Sequence, residues 1–498
     1  MIHPHSQLHP APANGRTMQR IHCRPAVRGF AHAAAACLAG LLAAVCPAMA
    51  GPPLFGPETI VEPADPVSSN GTTTRFGRSV ALEGDVLVVG SMDDVAAAGQ
   101  ERGAVFVFER IGGLWTQQQK LLAPDGADGD EFGFALDLAL DPDGMMDWLI
   151  VGAPKAGRIS AGPDGRVYLF RRANGGAWTF DSQLFPNPLT EEHSSEFGHG
   201  VGIDISEPVN SLTGDLVVTA VVGSPRYEHP TAGGSNHGAI HIYQRVGSPQ
   251  SFQLSHELYG RNPNPGRTFD HSMQLGWSVA IDRGLIIAGA PIYYASQHQS
   301  GAGVLYGRQN QLPGGAFHWV EASFLEASSA FQQDHLGRST ALSFDTMVGL
   351  VGTELYDGQG FASSSGTVYA FDLSTFGLMR TEVQQLLPSD DAAGNQFGAS
   401  VDIDGRIAVI GAPGVRAGNG NGAVYLFAQT SGQPNSWVEI GKISPTGLDA
   451  GWSDVGRSVA VSAFTTAYGV TQRPGVAPGN EGAVYLNEVV GIYGDGFE

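Results

Sequence analysis

Phe397-Gly398-Ala399-Ser400-Val401-Asp402-Ile403-Asp404-Gly405-Arg406-Ile407-Ala408-Val409-Ile410-Gly411-Ala412-Pro413 contains, in order, an F-G pair, an alternating strand, a tight turn and an apolar strand closing in G-A-P. After a short loop comes Gly422-Ala423-Val424-Tyr425-Leu426-Phe427, a second glycine-led strand. The F-G pair recurs as Phe76-Gly77, Phe132-Gly133 and Phe197-Gly198, and in apolar variants as Leu275-Gly276, Leu336-Gly337 and Val455-Gly456. G-A-P returns at Gly152-Ala153-Pro154 and Gly289-Ala290-Pro291. It is looser at Gly90, Gly223 and Gly352, and no seventh copy is evident. Glycine-led strands close each unit, from Gly103, Gly165, Gly238, Gly303, Gly366, Gly422 and Gly482.

A fourth strand follows in most units. Trp115 to Leu121, Trp178 to Leu184, Phe252 to Leu258, Trp319 to Leu325 and Trp437 to Ile443 each place an aromatic residue six before an aliphatic one. An even separation puts both on one face of a strand. The second strand of each unit, such as Val86 to Val89 or Ile407 to Ile410, is apolar throughout, as expected of a strand covered on both faces. No stretch sustains a 3.6-residue period, so helix is excluded. Seven four-stranded units predict an all-β, seven-bladed β-propeller of antiparallel blades. The last unit lacks a fourth strand, and a surplus strand, Glu58 to Glu62, precedes the first F-G. The N-terminal strand is therefore predicted to complete the seventh blade and remove an open sheet edge.

Residues 1–50 read as a cleaved signal peptide: Arg16, Arg20, Arg24 and Arg28, an apolar run from Ala31 to Val45, then Ala48-Met49-Ala50. Met18 is an alternative start. The apolar run is shorter than the roughly 20 residues of a membrane span, so no transmembrane segment is expected and the protein is exported to periplasm, surface or medium. Cys23, Cys37 and Cys46 all lie in this leader, leaving the mature chain without thiols or disulfides. The net charge is −21; subtracting four leader arginines from 27 Lys+Arg leaves 23 against 48 Asp+Glu, or −25. That acidity excludes nucleic acid as a partner and keeps a monomeric propeller soluble. The propeller spans 51–488, and 489–498 form a short tail ending in Asp-Gly-Phe-Glu.

The quoted motifs resemble FG-GAP repeats, the units of the seven-bladed propeller in integrin α chains and in many exported bacterial proteins. The resemblance runs over about residues 57–487. It implies a binding or adhesion-type module for a protein or glycan, with ligands met by the loops from second to third strand and from fourth strand into the next blade. Residues of interface type on those loops are Arg158, Arg226, Tyr227, His229, Tyr293, Tyr294, Arg416 and Arg473. The resemblance also implies calcium in a D-x-D-x-D-G-x-x-D turn. Asp141, Asp143 and Asp147 match that pattern around Gly144, but Ala139 stands where the first ligand belongs. Asp125, Asp128, Asp130, Asp390 and Asp391 form further acidic loops on the face opposite that turn.

No nucleophile elbow, zinc-protease motif or phosphate-cradling loop is present, so no catalytic residue is assigned. The rival reading is a propeller hydrolase or lyase acting at the loop face or central channel. Its acid–base candidates are His193, Glu196 and His199, beside Glu191 and Glu192.

Overall fold

The computed structural model describes residues 55–490 except 65–73, 97–99, 158–163, 187–194, 207–215, 229–235, 247–250, 261–272, 296–297, 310–317, 330–333, 356–363, 376–378, 416–420, 432, 446–447, 449–452 and 473–481. The predicted signal peptide and the Asp-Gly-Phe-Glu tail lie outside these residues. Among those described there is no helix, and so none long and apolar enough to cross a membrane.

Seven antiparallel sheets stand in a ring. Their inner strands are Phe76–Glu83, Ala135–Ala139, Val201–Ser206, Val279–Asp282, Ser339–Ser343, Ser400–Asp404 and Val459–Ser462. Residues of all seven line one central channel. The second strands, such as Val86–Ser91, Leu285–Ala290 and Ile407–Ala412, are buried at every position, because a neighbouring blade covers each face. Blade seven is completed from the other end of the fold. Thr59–Val61 pairs antiparallel with Ala483–Glu488, with Thr59 opposite Leu486 and Val61 opposite Val484, and Phe55 bridges Val489. The predicted closure is present, two residues shorter than the sequence suggests.

The repeated motifs have one physical cause, the close approach of backbone between blades. In blade six, the N–H of Gly398 donates to the carbonyl of Gly411 at 3.0 Å. A Cβ on Gly411 would lie 1.9 Å from the carbonyl oxygen of Gly456 in blade seven. The same contact joins Gly152 to Gly198 and Gly289 to Gly337. It also joins Gly469 to Gly77 at 1.9 Å. Gly469 is thus the seventh copy of the G-A-P glycine. It lies inside the strand Thr465–Val470. The two residues after it, Val470 and Thr471, are neither alanine nor proline, which hides the correspondence. The residue before each F-G (Arg75, Glu131, Glu196, Gln274, His335, Gln396 and Asp454) has φ between 50° and 59°, a left-handed turn repeated in all seven blades.

Side chains then lock each blade internally and join it to the next. Phe76, Phe132, Phe197 and Phe397 are fully buried, and each meets the ring at the Tyr position of the G-x-V-Y strand edge-on at 5.2–5.3 Å. Such contacts add about 0.5–1.5 kcal/mol each beyond burial. The hydroxyls of Ser79, Ser278, Ser339, Ser400 and Ser458 donate to the F-G glycine carbonyl of the next blade at 2.7–2.9 Å. At the far end of the inner strands, acidic side chains reach across the gap. Glu83 accepts from the N–H of Leu140, Asp137 from Ile203, Asp282 from Phe344, Asp402 from Val461 and Asp404 from Ala463, at 2.7–2.9 Å. Asp204 accepts from the main chain of Arg283, and Ser462 from Gly84 at 3.0 Å. N–H groups of the inner strands and of the hairpin residues just after them, which have no fifth strand to pair with, are satisfied this way.

One addition has no counterpart in the repeat pattern. Met379–Thr381 lies parallel against the outer strand of blade four, His318–Glu326, before the chain supplies blade five with Gln384–Leu386.

Candidate functional site

The F-G residues of one blade bridge the start of the third strand of the blade before: Gly165 to Phe197, Gly238 to Leu275, Gly301 to Leu336, Gly366 to Phe397 and Gly422 to Val455. Second-to-third loops and fourth-to-first loops therefore run side by side on one face. They are stitched together there. The N–H of Glu101 donates to Asp128 Oδ1 at 2.7 Å, and ion pairs join Arg75 to Asp93 at 2.9 Å, Lys155 to Glu131, and Arg226 to Glu196 at 3.2 Å.

The predicted ligand-face residues separate into three groups. Arg226 is exposed, with its guanidinium on Glu196. Tyr227 and Tyr293 are buried: Tyr227 stacks on Tyr259 at 5.8 Å, and Tyr293 stacks on Phe324 at 5.1 Å while its hydroxyl donates to Glu326 at 3.0 Å. Both serve as packing under the loops. Tyr294 opens a two-residue ribbon, its backbone opposite Gln299. Arg158, His229, Arg416 and Arg473 lie outside the described residues.

The acidic turn of blade two, between Ala135–Ala139 and Met146–Ala153, is closed from within. Asp141 accepts the N–H groups of Asp143 at 3.0 Å and Met146 at 3.1 Å. Asp147 accepts the N–H of Asp141 through Oδ1 at 2.9 Å and the guanidinium of buried Arg172 through Oδ2 at 2.6 Å. Arg172 also pairs with Glu109 and lies over the Trp178 ring at 4.9 Å. Asp143 is exposed. As arranged, a guanidinium supplies the positive charge beside Asp147, and the oxygens of Asp141 and Asp147 accept from N–H groups. Among the described residues no group of three or more His, Asp or Glu could hold a metal ion.

Of the acid–base candidates, His193, Glu191 and Glu192 lie outside the described residues. Glu196 is held by Arg226. His199 stands in the channel with Nδ1 2.8 Å from the carbonyl of Trp277. Burial, reinforced by the charges of Arg78, Arg338 and Arg226, pulls its pKa down to about 4 against that hydrogen bond. It is neutral at physiological pH, with Nδ1–H donating to the carbonyl.

The channel mouth escapes a motif-by-motif reading, although its signal stands in the residue after each F-G. Those residues are Arg78, Phe134, His199, Trp277, Arg338, Ala399 and Arg457. All seven line a cavity of about 460 Å³ at the loop end of the channel, with Glu354. The opposite end, about 360 Å³, holds Glu83, Asp137, Asp402 and Asp404. Burial pushes Glu83 up to about 8 and Asp137 to about 7, with their acidic neighbours adding to the effect.

The family model for the FG-GAP repeat matches residues 68–108, 115–170 and 381–427, which fall on blades one, two and six and on the outer strand of blade five. No curated protein matches the chain. The unmatched blades repeat the same glycine contacts, left-handed turns and strand order as the matched ones, and the chain is a seven-bladed β-propeller that carries FG-GAP repeats.

Proposed function

We propose that the chain is an exported binding module of the adhesion type, taking a protein or glycan on the face where the two loop sets meet. The observation that carries this reading is the division of labour within each blade. The strands and their glycine contacts are repeated with little variation, while the second-to-third loops differ in length and chemistry from one unit to the next. A rigid ring that presents seven unlike loops on one side is a scaffold for recognition, not for a single reaction. The ion pairs of Arg75, Lys155 and Arg226 support it, because they hold the loop bases in place before a ligand arrives and so lower the ordering cost of binding.

The test is an array of glycans and matrix proteins probed with the mature chain and with a variant whose blade-four loop, residues 294–299, is replaced by a short glycine turn. Capture by the parent chain and loss in the variant, at unchanged melting temperature, is the expected result. Capture that survives replacement of each long loop in turn would remove the loop face from consideration.

A further inference from the structure

The loop-side mouth of the channel carries charge of the wrong sign for this protein. The chain has a net charge of −21, and the ion pairs at the loop bases are balanced one to one. The mouth holds three guanidiniums, Arg78, Arg338 and Arg457, against one described carboxylate, Glu354. Glu354 does not hydrogen-bond either neighbour. It lies 3.9 Å from Arg338 Nε and 3.8 Å from an Arg457 Nη. Arg338 Nε is buried with no hydrogen-bond partner, and the Arg78 side chain makes no hydrogen bond among the described residues. Burial pulls Arg78 down to about 10, with the charge of Arg457 adding to it and those of Glu131 and Asp93, outside the cavity lining, opposing it.

What these arginines do have is aromatic support. Arg78 lies over the Phe134 ring at 4.5 Å, Phe134 meets His199 at 4.9 Å, His199 meets Trp277 at 4.3 Å, and Arg338 lies over Trp277 at 4.3 Å. This arc runs through five consecutive blades and ends in a guanidinium at each side. Stacking occupies the flat face of a guanidinium and restricts its rotamers, but leaves the N–H edge able to donate. Protein interiors rarely leave such donors unanswered. A cavity of about 460 Å³ is also within the size range of small-molecule sites.

We infer that the mouth of the central channel is a binding site for a small molecule bearing an oxyanion, its charged oxygens taken by Arg78, Arg338 and Arg457. Carboxylate, phosphate and sulfate share the required chemistry: planar or tetrahedral oxygens matched by guanidinium forks. Glu354 opposes the ligand and sets an upper limit on its charge-driven affinity. The site is independent of the loop-face reading, since small ions need no loop to bind.

The experiment is calorimetric titration of the mature chain with citrate, inorganic phosphate and sulfate as separate probes, and with chloride as a monoatomic control, each to about 10 mM. The expected result is one-site binding of at least one oxyanion in preference to chloride, which also identifies the preferred oxyanion class. Arg338→Gln and the more exposed Arg457→Gln should each weaken it by about tenfold or more, the loss of one charge-assisted bond. Glu354→Gln should tighten it by severalfold. Arg283→Gln, in a hairpin at the opposite end of the channel, should leave it unchanged. Melting curves select the variants that fold, and Glu354→Gln supplies a gain of binding that misfolding cannot mimic. No heat from any oxyanion, indifference to the mouth substitutions, or equal weakening by Arg283→Gln overturns the assignment.

Discussion

Arg172 shows how one side chain decides the character of a turn. Its guanidinium is buried between Asp147, Glu109 and the Trp178 ring, and removing it would strand two carboxylates. Arg172→Gln is expected to cost about 3–5 kcal/mol in urea unfolding, the range for breaking a buried pair from one side. Because the guanidinium occupies the role a cation would fill, calcium and EGTA should leave the melting temperature of the parent chain unchanged. A rise with calcium would mean that Asp141, Asp143 and Asp147 can leave their present partners. Glu83 makes a second residue-level case. Burial raises its pKa from 4.5 to about 8, so the folded state holds a proton that the unfolded chain releases between those values. Its contribution to stability is complete below 4.5 and fades as pH rises through 8. The unfolding free energy should therefore fall across this window. Glu83→Gln, which keeps an acceptor for Leu140, should flatten the slope.

At the scale of elements, two glycines in one blade separate conformational freedom from close approach. Gly405 turns the first hairpin with φ 53° and has nothing within 4 Å of where a methyl group would stand, so Gly405→Ala should cost only about 1–2 kcal/mol. Gly411 would drive its methyl group into the Gly456 carbonyl, and Gly411→Ala should cost about 3 kcal/mol or more. Chemical denaturation of the two variants gives the comparison directly. The closing strand is the other element to test. Deletion of residues 51–65 removes the pairing of Thr59–Val61 with Ala483–Glu488 and should lower the melting temperature of the whole ring sharply. Most of this architecture is legible in sequence, because glycine spacing and two-residue alternation are local records of strand, turn and backbone contact. What is not legible depends on partners far away in the chain. Nothing near Tyr227 announces Tyr259 or His241, nothing near Asp147 announces Arg172, and Gly469 lacks the flanking residues that mark its equivalents. The arginines of the channel mouth stand in separate blades, far apart along the chain, and only closure of the ring brings them to one cavity.

For the molecule as a whole, the placing of basic side chains at one end of the channel and carboxyl groups at the other follows from position within a strand. The residue after each F-G faces the loop-side mouth, and the residues at the strand's end face the other opening, where Glu83, Asp137, Asp402 and Asp404 grip the neighbouring blade. The same ring has its ends tied together: the N–H of Gly56 donates to the carbonyl of Glu488 at 2.8 Å, and Phe55 bridges Val489. Where the polypeptide starts is then a matter of bookkeeping in the gene. A circular permutant that fuses 55 to 489 through a short link and opens new termini between Gly260 and Met273 should fold to the same ring, with its seam shifted to the junction of the third and fourth blades.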